Sequence, residues 1–416
     1  MPISRKVSLD RADRLQRMPL SADSDLERMA ARLSARGVEV IDLASVRAGL
    51  REIDPPSSPG TAHSDWRLAD AADLARLREA VAEWYESRFG VSLDPRLEIE
   101  IVPNVFMAMS LLTLAFIDPG DMALIPDPGR SLYRGAVALS GGGSVPYYLW
   151  ERNDYLPSFP GIEAGMAGRA RLMVMSYPHD PTTAMADINC LLEAVAFAKR
   201  QNILVVFDAA YTHVAHGPLR PRGFLEVKGA RGVGVEIFSL ASNFGVKNLP
   251  LAVVAGNREA VNAVSFLSES TGLRPMRLTV RTAAALLESG ESHFRERLER
   301  LETSRRILVE TFSQVGWTPR TSPAVPFLWL AAPASIGAEG LCRRLLKRTG
   351  VRLRPGTMFG ERGEGFVRAA IPENAEIAAA VASRIERHAH LYQRKIPRAR
   401  RLRRGGRTTP DSPVSP

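Results

Sequence analysis

The sequence predicts an α/β chain with one large domain and one smaller domain, and three observations point there. Its 416 residues, 45% apolar and 24% charged, suffice for a globular body of that size. Short apolar runs such as RLEIEIV, RLMVMSY, NILVVFD and VEIFSL read as buried strands. Between them lie stretches with apolar residues at three- and four-residue spacing, which read as helices packed on a sheet.

Taken in order, LERMAARLSARG has helical spacing with Gly37 as its stop and leads into the strand VEVIDLA. Residues 1–61 are read as an N-terminal arm that joins the small domain. The large domain, 62–262, opens with the amphipathic helix DLARLREAVAEWYESRFG, ended at Gly90. After RLEIEIV, Pro119-Gly120-Asp121 makes a turn before a buried strand, and Pro126-Asp127-Pro128-Gly129 follows that strand. RLMVMSY leads to PHDPTTA, and NILVVFDAAYTHVAH puts Asp208 at the carboxyl end of a strand with Tyr211 three residues on. Clefts form at such strand ends in doubly wound sheets. The small domain, 263–392, holds a long helical pattern, the strand AVPFLWLAAP, a helix with Cys342, and VRLRPGTMFGERGEGFVRAAI.

Composition excludes several classes. Cys190 and Cys342 lie far apart without metal-ligand spacing and read as reduced thiols of a cytoplasmic protein. The N-terminus has no apolar leader and no run of 18 apolar residues occurs, so export and membrane insertion are not expected. The net charge of +10 suggests nucleic acid until it is located: the tail 393–416 holds eight Lys and Arg against one Asp, so +7 lies there and the body is nearly neutral. That tail reads as disordered and solvated. His213 and His216 have no converging carboxylate of known spacing, and no metal is expected.

The segment EIFSLASNFGVKNLPLAVVAGN, residues 236–257, resembles the Schiff-base segment of fold-type I aminotransferases, enzymes that use pyridoxal phosphate (PLP). The likeness extends over roughly residues 20–390 and includes the helix ended at Gly90, the Pro119-Gly120-Asp121 turn and PGTMFGERGEGFVR. It implies a large domain with a mixed, mostly parallel seven-stranded sheet and a smaller α+β domain. It also implies that Arg368 grips a substrate carboxylate, that Asp208 faces the pyridine nitrogen, and that Tyr211 bonds the ring hydroxyl.

Several positions depart from the family pattern. The family's Lys is Ser242 and its phosphate Arg is Pro250, although Ser239 remains. The phosphate-loop pair is Asn104-Val105, which brings no hydroxyl. Arg130 stands at the stacking aromatic, and Asp180 at an Asn that donates to the ring oxygen. The loop after the first strand, SVRAGLREIDPPSSPG, is also rewritten. A Ser hydroxyl forms no imine and is too weak an acid to act unassisted as a base.

These departures lead to the expectation that no cofactor is bound and that a carboxylated, amino-acid-like ligand occupies the cleft. Any altered chemistry would involve Asp180, Tyr211, Ser242 and Lys247. A non-catalytic partner of an active aminotransferase, and a PLP-dependent transaminase with an unusual binding mode, stay open as alternatives. A homodimer, or a heterodimer with a related subunit, is expected in either case.

Overall fold

The structure, a computed structural model, describes residues 10–18, 23–46, 67–162, 168–212, 220–247, 249–288, 292–333 and 337–389. His213, His216, the tail from 393 and most of the rewritten loop lie outside the described residues.

Runs such as RLMVMSY and VEIFSL form strands with side chains buried on both faces, as strands of a sheet between two helical layers require. The strands are β1 (Ile41–Asp42), β2 (Ile99–Val102), β3 (Met122–Asp127), β4 (Gly143–Tyr148), β5 (Ala170–Ser176), β6 (Leu204–Asp208), β7 (Gly234–Ser239) and β8 (Ala252–Gly256). Seven of them make one sheet in the order β2-β8-β7-β6-β5-β3-β4. The ladders from β7 through β6, β5 and β3 to β4 are parallel, whereas β8 runs antiparallel to both β7 and β2. The implied mixed, mostly parallel sheet is therefore present.

The helices begin and end where local chemistry dictates. Helix Ala71–Phe89 starts at a capping box, in which Asp70 accepts the Asp73 N–H while Asp73 accepts the Asp70 N–H. It stops at Gly90, whose φ of 67° is left-handed and suits a residue without Cβ. Its buried face, Leu74, Leu77, Val81, Tyr85 and Phe89, packs with β2, β8 and helix Arg277–Glu288. On the other face of the sheet, helix Val105–Phe116 packs against β3, β5, β6 and β7 through Ala108, Met109, Leu111 and Leu112.

The second sheet has β9 (Thr318–Arg320), β10 (Phe327–Ala331), β12 (Arg354–Pro355) and β13 (Phe366–Ala370) in the order β12-β13-β10-β9, all antiparallel; β11 (Val351–Arg352) pairs with β1. Leu26 and Leu43 from the N-terminal stretch join its core with Leu308, Phe312, Leu345 and Val381. No described helix is long and apolar enough to cross a membrane.

Candidate functional site

Four parallel strands end on one edge of the large sheet, at Asp127, Ser176, Asp208 and Ser239. Open α/β sheets place their ligand crevice outside that edge. A cavity of about 530 Å³ lies there, walled by Asn104, Val105, Arg130, Asp180, Tyr211, Ser239, Ser242 and Pro250 from the large sheet's side. Arg354 and Arg368 close it from the second sheet, with Phe359 from the turn between β12 and β13.

The dominant feature is a chain of buried charges. Arg368, in β13, donates through one Nη to both oxygens of Asp180 at 2.7 and 2.9 Å, and through the other to the Ala44 carbonyl at 3.0 Å. Its guanidinium centre lies 5.3 Å from the ring of Phe327 and 5.0 Å from that of Phe359, which fixes its plane. Arg130 donates to Asp208 at 2.7 Å, and its Nε stands 3.8 Å from Asp180. Asp208 also accepts the Tyr133 hydroxyl at 2.7 Å and the Ala210 N–H at 3.1 Å.

Burial pushes the Asp180 carboxyl up, yet Arg368, Arg130 and Arg354 outweigh it and hold the group below the usual carboxylate range. Burial pulls Arg130 down and the carboxylate of Asp208 reverses that, so it stays charged. Tyr211, packed edge-on against Phe327 at 5.5 Å, is raised by burial first and by Asp180 second, and remains a neutral phenol.

The opposite corner is polar but carries little charge. The Asn104 side chain caps helix Val105–Phe116 by accepting the Met107 N–H at 2.9 Å, so one first-turn donor is already used. Ser239 caps the short helix Leu240–Phe244, and its hydroxyl lies 3.2 Å from that of Ser242. That helix ends at Gly245, with φ of 67°, where a Cβ would fall 1.9 Å from Nε of Arg297. Arg297, in helix Ser292–Gln314, pairs with Glu373 at 2.6 Å, so the close approach at Gly245 sets that helix against the Ser242 turn.

Several expectations need correction. Lys247 is half-buried and not among the residues lining the cavity, so it is not placed to act there. Asp208 does not line the cavity directly: Arg130 covers it and uses its Oδ2. Arg368 is not an open carboxylate receptor, because Asp180 already holds it. Asp180 is accordingly a fixed counterion and not a free acid or base. Tyr133, Arg354 and Phe359 were missed; the signal for Tyr133 was its place one helical turn after Arg130, on the same face.

PLP held as the family holds it requires an amine at 242, a charged phosphate partner and a free carboxylate at 208. Here Ser242 offers a hydroxyl, Pro250 no charge, and Asp208 is engaged. The residues present do not fit that covalent arrangement.

Comparison with known proteins places the chain. The profile of the family described as aminotransferase class I and II matches residues 60–383. The chain is 32% identical over 371 residues to the LL-diaminopimelate aminotransferase of Desulforudis audaxviator, covering 87% of this chain and 93% of that one. To the enzyme of the same name from Syntrophobacter fumaroxidans it is 31% identical over 379 residues, covering 88% and 95%. Substrate-bound BacF from Bacillus subtilis superposes with a TM-score of 0.81 at 25% identity, covering 91% of this chain and 98% of that one. Aspartate aminotransferase from Thermus thermophilus with maleate has a TM-score of 0.80 at 22% identity, covering 91% and 100%, and shares the fold. The expectation of no cofactor is overturned by these relatives: they are named as aminotransferases, and the fold-type I aminotransferases use PLP. What position 242 lacks is narrower, namely an amine with which to bond the cofactor.

Proposed function

The chain belongs to the class I and II aminotransferases, and from that membership we propose that its cleft binds a carboxylated, amino-acid-like small molecule whose carboxylate is taken by Arg368. The position of Arg368 carries this reading: it is buried in the cavity wall, its guanidinium centre within 5.3 Å of the Phe327 and Phe359 rings, and its Nη atoms already bond a carboxylate and a carbonyl, those of Asp180 and Ala44. Arg130 and Arg354 line the same cavity and support an anionic ligand. The relatives' name supplies the first probe, LL-diaminopimelate, an amino acid at both ends. Ser242 takes no proton from the ligand in this reading, since an unassisted hydroxyl is a poor base at neutral pH.

Titration calorimetry with LL-diaminopimelate and L-glutamate tests it. Arg368→Ala is expected to weaken binding by about 2–5 kcal/mol, the range for removing one partner of a buried charge pair. Affinity indifferent to Arg368, or no binding of either probe, would sink the reading.

We also propose that the chain pairs with a second aminotransferase-like chain, identical or related, as the family's interfacial sites imply. Leu68 and Met276, whose backbones form an antiparallel bridge, both expose apolar side chains, which supports a covered surface there. Sedimentation showing a monomer at micromolar concentration would count against it.

A further inference from the structure

A transaminase must accept both an amino acid and the corresponding 2-oxo acid, and the charge arrangement around Arg368 does not treat those two ligands alike. One Nη of Arg368 is used by both oxygens of Asp180, the other by the Ala44 carbonyl, and the two flanking rings hold the guanidinium in plane. A ligand carboxylate reaches that Nη only by displacing the Asp180 carboxylate. Asp180 is 3% exposed, so a displaced carboxylate stays largely shielded from solvent. Its remaining cations are Arg130, whose Nε is 3.8 Å away and which already donates to Asp208 at 2.7 Å, and Arg354, which acts on it through its charge. A buried carboxylate stripped of its partner is strongly unfavourable.

A ligand that brings its own cation removes this difficulty. With an ammonium and a carboxylate on the same carbon, the carboxylate takes Arg368 while the ammonium takes Asp180, and every buried charge keeps an opposite neighbour. A 2-oxo acid brings the carboxylate but only a neutral carbonyl acceptor beside it, which places two acceptors against Asp180. Resting on the proposed binding of an amino-acid-like ligand, we infer that this cleft selects α-amino acids over their 2-oxo acids, and that Asp180 is the residue that determines the choice.

The test is titration calorimetry of the full chain with matched pairs, L-glutamate against 2-oxoglutarate and L-alanine against pyruvate, with LL-diaminopimelate as a further amino-acid probe. The wild-type protein is expected to bind the amino acid of a pair at least ~30-fold more tightly, the lower end of what stranding a buried charge causes. Asp180→Asn, which removes the charge but keeps the shape and adds a donor, is expected to bring the two members of a pair within ~3-fold, mainly by strengthening the oxo acid. Equal wild-type affinity within a pair overturns the inference and leaves the proposed function standing. A preference that persists in Asp180→Asn overturns the role given to Asp180. If no amino acid binds, the proposed function falls, and this inference with it. The wild-type comparison needs no variant and so decides even if Asp180→Asn fails to fold.

Discussion

Two buried carboxylates, one in the cleft and one in the core, show what a counterion does. Asp180 faces Arg368 and Arg130 and is held below the usual carboxylate range despite its burial. Glu236, in β7, faces neutral donors: the Tyr85 hydroxyl at 2.8 Å and the Leu225 N–H at 3.0 Å. Burial raises it to about 7, the donors only partly opposing. The first stays ionised at the wall of the cavity. The second keeps its proton through mildly acidic pH and belongs to the packing between helix Ala71–Phe89 and the sheet.

The largest effect that would break this contrast is the loss of a single member of the cleft pair. Arg368→Leu is expected to destabilise the fold by about 3–5 kcal/mol in urea unfolding, because Asp180 is left buried without its closest cation. Adding Asp180→Leu should recover most of that loss. A double variant no more stable than the single one would show that the pair's two charges are not the cause.

The second effect concerns pH, and the two groups carry opposite signs. Between its ordinary value of 4.5 and about 7, Glu236 binds a proton in the folded chain but not in the unfolded one. Its contribution to stability therefore falls as pH rises through that window and levels off above it. Glu236→Gln is expected to abolish this fall, a difference of about 3 kcal/mol at pH 8. For Asp180, whose folded value is lowered, stability is present above the ordinary carboxylate range and is lost as pH falls through the depressed value. Denaturant midpoints between pH 2 and 8 distinguish the two. A Glu236→Gln variant with the wild-type pH profile would show that Glu236 is ionised throughout.

A smaller effect is expected at Tyr85. Tyr85→Phe removes one donor from Glu236 and should cost about 1–2 kcal/mol. It should also raise the Glu236 midpoint further, observable by carboxyl NMR titration. The smallest effect is the least visible: borohydride reduction in the presence of PLP should leave no phosphopyridoxyl group on the peptide carrying Ser242 and Lys247. An adduct on Lys247, found by mass spectrometry, would place that side chain in the cleft after all.

Much of the frame was legible in the sequence because turns and strand ends depend on local chemistry. Pro119-Gly120-Asp121, the Gly90 stop and the SLASNFG turn each lie where their residues demand. Arg368 was legible through the motif around it. The pairing of Arg368 with Asp180 was not, since 188 positions separate them and only the meeting of two sheets brings them together. For the same reason Lys247 looked available: chain distance placed it near Ser242, but the turn at Gly245 carries it out of the cavity wall. Glu236 was hidden inside an apolar run, VEIFSL, whose strand period gives no sign that Tyr85 waits opposite.

The contact between Asp180 and Arg368 has a consequence for affinity as well. Asp180 is a tethered competitor for the arginine that an incoming carboxylate needs, present at a fixed and high local concentration. The measured dissociation constant is then the intrinsic one divided by the fraction of molecules in which that arginine has been released. A carboxylate with no cation to offer Asp180 must be abundant to win that arginine. On the proposed reading, a ligand that offers Asp180 a cation lowers that competition, and one that does not bears it in full.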